Sequence, residues 1–263
     1  MNKNFSREEY RKLYIKLLTL HKESGMVHAG GSISILPVLY ILFSGIFDAN
    51  QDLLIFSKGH TVSALYCVLA LRGYISDSDI KSCCQDGARL GGHPPVDLVE
   101  FAPFGTGSLG HGLSLAAGCA LAKKLMNQSG RIFCICGDGE FQEGACWEAL
   151  NFAVAHKLEN LSLVIDCNNW QGFDSVKKVI GYELEGLESR LSAFGADVKK
   201  CDVHDFDLLF ENLTRINNEV PYVLLVNSIK GEGMGIYQDT LDSHYVRVDE
   251  KIYQEALQCA KVL

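Results

Sequence analysis

Asp138 and Asn168 are the residues whose types and spacing point most directly to chemistry in this chain of 263 residues. Asp138 stands in Gly137-Asp138-Gly139, where the apolar run RIFCICG ends. Asn168 follows the apolar run LSLVIDC. Both runs read as buried parallel strands, and the intervening QEGACWEALNFAVAHKL reads as a helix. The right-handed crossover of such a unit sets both strand ends on one edge of the sheet. A carboxylate and an amide oxygen then meet at one crevice. Oxygen donors of this kind suit a hard cation such as Mg²⁺, which keeps places free for phosphate oxygens and water. Gly137 and Gly139 carry no Cβ where a diphosphate must come close to backbone. Alone, Gly-Asp-Gly is usually a turn and Asn-Asn a loop; their joint placement at two strand ends makes a site.

Four of the eight histidines fall in turns: His28 in VHAGGS, His60 in SKGH, His93 in GGHPP and His244 in DSHY. A lone loop histidine is ordinarily solvated surface. Several of them beside a diphosphate would serve a polyhydroxylated substrate, because imidazole can donate to a hydroxyl, neutralise phosphate or move a proton at neutral pH.

The elements that must position these residues alternate between strand and helix. Ser6 and Glu9 predict a capping box opening a helix that runs to about Glu23. SGMVHAGG reads as a Gly-rich loop before an apolar helix. LLIF reads as a strand, SKGH as a turn, VSALYCVLALRGY as a helix and SDSDIKSCCQDG as a short helix. After the Gly- and Pro-rich ARLGGHPPVDLVEF, the turn GTGSLGHG opens a small-residue helix. Residues 171–185 read as loop; a strand at DVKKCD, a helix at 205–218, a strand at PYVLLVNSI, a long loop and a last helix follow. The expected fold class is α/β: one doubly wound domain over residues 1–263, a mostly parallel sheet flanked by helices, with ligands outside the carboxyl ends of the strands.

The net charge of −8, with no Lys/Arg cluster, argues against a nucleic-acid partner. No apolar run reaches membrane-spanning length, the first 25 residues lack the features of a secretory signal, and the cytoplasm is the default expectation. Of the ten cysteines, Cys67, Cys119, Cys134, Cys136, Cys146 and Cys167 sit in apolar stretches as small hydrophobes. No paired Cys-x-x-Cys motifs suggest zinc, Cys83-Cys84 is expected to be exposed, and a reducing compartment fits.

Gly-Asp-Gly followed about 30 residues later by Asn resembles the thiamine diphosphate signature. From about residue 7 to about residue 250 the chain resembles the N-terminal, diphosphate-binding part of transketolase, and specifically the stand-alone N-terminal subunit of a split transketolase. FSKGHTVSALY, GGHP, GTGSLGHG, GDGEFQEG and WEA carry the likeness, with SGMVHAGGS and the C-terminal DSHY. The resemblance implies Asp138, Asn168 and the Trp170 carbonyl as Mg²⁺ ligands. It implies cofactor contacts from His60, Gly107, Ser108, Leu109, Gly139, Asn168 and His244. Catalytic roles beside the reacting carbons would fall to His28, His93 and His244, and Glu143 and Glu148 to an acidic cluster between protomers. His111 replaces the family's usual Gln, QGFD replaces Ile-Asp-Gly after the metal loop, and Tyr245 follows His244 where Gly is usual.

The implied reaction passes a two-carbon ketol unit from a ketose or ketose phosphate to an aldose, with thiamine diphosphate as electron sink. The family's activating glutamate lies in a pyrimidine-binding domain for which these residues leave no room. A separate C-terminal subunit, in an α₂β₂ assembly, is therefore the expected partner. Two alternatives stand beside this reading: transfer of the two-carbon unit to a carrier-bound acceptor in a specialised biosynthetic pathway, and a non-catalytic cofactor-binding scaffold. A nicotinamide-dependent Rossmann enzyme fits poorly, because GTGSLGHG lacks the fingerprint spacing and the acidic residue that should follow it.

Overall fold

The computed structural model describes residues 3–217 and 219–261. Its sheet has five strands, β1 (Leu53–Phe56), β2 (Ile132–Gly137), β3 (Leu161–Cys167), β4 (Asp197–Asp202) and β5 (Tyr222–Asn227), in the order β1-β2-β3-β5-β4. Every pairing is parallel. All carboxyl ends therefore share one edge, as the doubly wound reading requires.

Alternation along the strands sends successive side chains to opposite faces, and each face is covered. Leu54, Phe56, Phe133, Ile135 and Val164 pack under α1 (Arg7–Ser24), α2 (Ala29–Leu42), α3 (Val62–Leu71), α9 (Phe206–Thr214) and α10 (Glu250–Cys259). Ile55, Cys134, Cys136, Leu163 and Ile165 pack under α5 (His111–Leu125), α6 (Gly144–Ala155) and α8 (Leu184–Ala193). Short helices α4 (Asp77–Lys81) and α7 (Val176–Ile180) lie in the connections. The expected helix at 205–218 ends at Thr214, and Asn218 lies outside the described residues, as do residues 1, 2, 262 and 263.

Several local readings change. The expected Gly-rich loop at 24–31 is shorter: Gly30 and Gly31 are the second and third residues of α2, whose every residue is buried. A Cβ on Gly30 would lie 2.5 Å from the Ser243 carbonyl oxygen, and one on Gly31 would lie 2.8 Å from Thr61 Cγ2. Close packing, and not turn geometry, selects glycine there. Residues 171–185 contain α7, capped by Ser175 and closed by Gly181 at φ 80°. Ser6 accepts from the Glu9 amide as expected, but the Glu9 carboxylate pairs with Arg72 at 3.1 Å, so only half the capping box forms. Cys84 is exposed, whereas Cys83 is buried against Met26. No described helix is long and apolar enough to cross a membrane.

Candidate active site

A cleft of about 400 Å³ opens at the carboxyl edge of the sheet, lined by Asp138, Gly139, Asn168 and Trp170 together with His28, His60, His93 and His244. Thus residues drawn from segments far apart in the sequence converge on one place. Gly107 and Leu109 also line it, while Ser108 and His111 are exposed and outside the lining. Glu143 lines the cleft; Glu148, exposed on α6, does not.

The floor is built at the strand tips. Asp138, 4% exposed, accepts the Gly139 amide at 2.8 Å on Oδ1 and the Asn169 amide at 2.7 Å on Oδ2. The second bond joins the β2 tip to the loop after β3, which is the meeting that the strand–helix–strand reading anticipates. Burial, and then the neighbouring Asp166 carboxylate, push the Asp138 carboxyl up to about 7. The Asn168 side chain is fixed by what surrounds each end. Its Nδ2 donates to Ser34 Oγ at 3.1 Å and to Asp166 Oδ2 at 3.3 Å, which leaves Oδ1 as the outward acceptor, touched by the Trp170 amide at 3.2 Å.

Beneath these groups lies a polar network that the motifs do not reveal. Asp166 is fully buried in β3 and paired with Lys58, itself 2% exposed. The carboxylate also accepts from Ser34 Oγ at 2.6 Å and from Ser228 Oγ. A carboxylate within an otherwise apolar strand has to be paired, so VIDC holds a signal, although nothing in the sequence names the partner. Lys230, 1% exposed, escapes the sequence reading too; its Nζ lies 3.5 Å from the Trp170 carbonyl and 2.7 Å from His244 Nδ1. Burial, reinforced by the Lys58 charge, brings its ammonium down to about 7. Glu140 ties the edge together: its carboxylate accepts the Gly110 amide at 2.9 Å, the Gly137 amide at 3.2 Å and the Ser57 hydroxyl.

Three of the histidine rings form a cluster. His28 lies 5.2 Å from both His60 and His244, and His60 stacks with His244 at 5.6 Å. Burial lowers the basicity of all three, with His244 at about 3, so the rings are neutral at pH 7. Their partners set the tautomers. His28 Nδ1 meets the His244 carbonyl at 2.9 Å, and a carbonyl only accepts, so Nδ1 carries the proton and Nε2 holds a lone pair. When Lys230 is charged it donates to His244 Nδ1, which places the His244 proton on Nε2. The cluster therefore offers an acceptor nitrogen and a donor nitrogen on adjacent rings. His93 stands on the loop opposite, where Gly107 (φ 146°) gives it room: a Cβ there would lie 2.8 Å from the His93 ring.

Among the described residues no group of three or more His, Cys, Asp or Glu side chains could hold a metal. The available donor set is instead one carboxylate, one amide oxygen and one backbone carbonyl, all oxygen and few in number. The Nε2 of Gln171, on the cleft wall, is buried without a partner. Such an atom is costly unless a ligand satisfies it.

Comparison with known proteins agrees with this geometry. Residues 14–256 match the family model described as transketolase, thiamine diphosphate binding domain. A 6-deoxy-6-sulfo-D-fructose transketolase subunit of Clostridium sp. (strain MSTE9) is 34% identical over 92% of this chain and 92% of its own length. An apulose-4-phosphate transketolase subunit of Phocaeicola vulgatus is 31% identical over 95% of this chain and 90% of its own. Among solved structures, transketolase from Leishmania mexicana superposes with TM-score 0.87 at 22% identity, covering 98% of this chain. This chain spans only 41% of that protein, and 33% of human transketolase, to which it is 29% identical over 80% of its length. A match across nearly the whole chain, around a cleft of this composition, shows that the protein belongs to the transketolase family, as its N-terminal, thiamine diphosphate-binding part.

Proposed function

We propose that this chain is the diphosphate-binding subunit of a two-chain transketolase, which moves a two-carbon ketol unit from a ketose or ketose phosphate to an aldose. The observation that carries the reading is the convergence of Asp138, Asn168 Oδ1 and the Trp170 carbonyl on the cleft floor beside bare glycine backbone. Those three oxygens suit Mg²⁺, which takes few protein ligands and completes its shell with phosphate oxygens and water. Lys58 and Lys230 supply positive charge on the floor, and Gly107 and Gly139 line the cleft without side chains. The Gln171 amide supplies an unspent donor.

Thiamine diphosphate, when bound, supplies an electron sink for cleaving and forming the carbon–carbon bond. The chain's own groups do the rest. Asp138, Asn168 and Trp170 hold the cation, while His60, Gly107, Leu109 and Gly139 bound the cofactor's space. Ser108, exposed in this chain, reaches the cofactor through its backbone. His28 Nε2 takes the proton of a substrate hydroxyl and returns it to the oxygen that becomes a hydroxyl in the reverse step, while His244 Nε2 keeps its proton and donates a hydrogen bond to a neighbouring oxygen. His93 orients the substrate from the opposite wall. Positioning of this kind turns an encounter of two sugars into a reaction at one place.

The relatives named as transketolase subunits support a second chain, which in this reading supplies the pyrimidine-binding domain and its activating glutamate within an α₂β₂ assembly. All 263 residues then serve as one domain of that assembly. Mixing the purified chain with the pyrimidine-binding subunit from the same organism, thiamine diphosphate and Mg²⁺ tests it. Ketol transfer is expected from the mixture and from neither chain alone; full activity of this chain by itself overturns the two-subunit reading.

A further inference from the structure

Tyr245 is a large aromatic residue, 65% exposed, on the wall of a cleft whose floor residues Asp138, Asn168, Lys58 and Lys230 are each no more than 4% exposed. It is held firmly despite that exposure. The chain on either side is buried at Ser243 and Val246, and the Val246 amide donates to the Val27 carbonyl at 3.0 Å. The phenol ring packs on His244 at 4.5 Å and on His28 at 5.0 Å. From there it reaches the loop after β3, where its hydroxyl would lie 3.6 Å from a Cβ placed on Gly172. Tyr245 thus spans the space between the C-terminal loop and the loop that carries Trp170. No described residue bonds its hydroxyl.

We propose that Tyr245 determines specificity for the hydroxylated carbon chain of the acceptor sugar, its phenol donating to a sugar hydroxyl two or three carbons beyond the aldehyde. This deepens the transketolase reading and rests on it. The contact lies outward from the histidine pair, so the groups it meets are those next in line after the reacting carbons. The chemistry recognised is neutral: Lys58 and Lys230 are the only Lys or Arg side chains lining the cleft among the described residues, and both lie at the floor. Closure across to Gly172 also limits how wide that part of the substrate can be. Mobile charged groups at the far end of a substrate have no partner on this chain's side of the cleft.

The test uses the reconstituted two-chain holoenzyme, L-erythrulose as ketose donor, and glycolaldehyde, D-glyceraldehyde and D-erythrose as acceptors of increasing length. Tyr245→Phe should raise KM for D-erythrose roughly tenfold relative to that for glycolaldehyde, the scale of one lost hydrogen bond. The kcat values should move together. Tyr245→Gly should abolish the preference between acceptors and admit 2-substituted aldehydes that the native protein refuses. Calorimetric titration with thiamine diphosphate and Mg²⁺ accompanies each variant. Native cofactor uptake with an equal KM change for all three acceptors overturns the role of Tyr245 and leaves the transketolase reading standing. Absence of cofactor uptake by the native complex overturns both.

Discussion

Loading the site with Mg²⁺ and thiamine diphosphate should move protons, in opposite directions at acid and alkaline pH. Two buried groups on the cleft floor titrate near neutrality: Asp138, raised to about 7 by burial and the Asp166 charge, and Lys230, lowered to about 7 by burial and the Lys58 charge. A cation requires the carboxylate ionised, whereas a diphosphate holds the lysine charged. At pH 6.5 each group is about three-quarters protonated, so Asp138 releases about 0.8 proton while Lys230 takes up about 0.2, a net release of roughly half a proton. At pH 8 each is about one-tenth protonated; Asp138 has little to give, Lys230 takes up about 0.9, and the net is an uptake of roughly 0.8. The sign reverses near pH 7. Isothermal titration of the two-chain complex in paired buffers of different ionisation enthalpy reads this number directly, after subtracting the protonation of free Mg²⁺–cofactor. Lys230→Met should erase the alkaline uptake and leave the acid release. One sign throughout pH 6 to 8.5, or an unaltered profile in Lys230→Met, refutes the assignment of these two groups to opposite sides of one ligand.

Three further outcomes follow from the buried network and the packing. Asp166→Asn leaves the Lys58 ammonium buried without its counter-charge and should cost roughly 3–5 kcal/mol in urea unfolding; a loss under about 1 kcal/mol would mean the pair is not desolvated. Gly30→Ala drives a methyl into the Ser243 carbonyl, should lower stability by about 1–3 kcal/mol, and should also displace the segment holding His244 and Tyr245; an unchanged melt with unchanged cofactor affinity counts against the packing described. His21, buried between the Met26 carbonyl and Ser63, is lowered to about 4 by burial. The unfolded chain binds that proton first, so the stability tied to the neutral ring is fully present above pH 6.5 and lost as pH falls through 4. Over that window the loss is roughly 3 kcal/mol, and the ring's NMR titration should show a midpoint near 4 instead of the ordinary 6.5.

Much of this is legible in the amino-acid order, and the parts that are not share a cause. The β2–α6–β3 unit announces itself because two apolar runs and a helix-length segment end on residues suited to a cation. The four turn histidines are visible as a pattern, and the sheet brings all of them to the cleft. Gly30 and Gly31 read as loop because glycine punctuates turns far more often than it enters a buried helix; only the contact with Ser243, over 200 residues away, explains Gly30, and only Thr61 explains Gly31. Lys58, Asp166, Ser34 and Ser228 come from four segments, and their mutual bonding exists only in three dimensions. Lys230 hides for the same reason, in a loop whose Gly-rich spelling suggests solvent, although the fold buries it against Trp170 and His244. Local pattern finds strand tips and turns; it does not find which buried charges neutralise one another.

The central claim is that Asp138 and Asn168 clamp a cation that grips the diphosphate, and cofactor affinity measured with and without Mg²⁺ tests it most directly. In the native two-chain complex, calorimetry should show tight uptake of thiamine diphosphate only when Mg²⁺ is present, and Asp138→Ala should abolish the Mg²⁺ dependence while the chain still folds and pairs. Equal affinity with the metal chelated, or an Asp138→Ala complex that binds as the native one does, contradicts the claim.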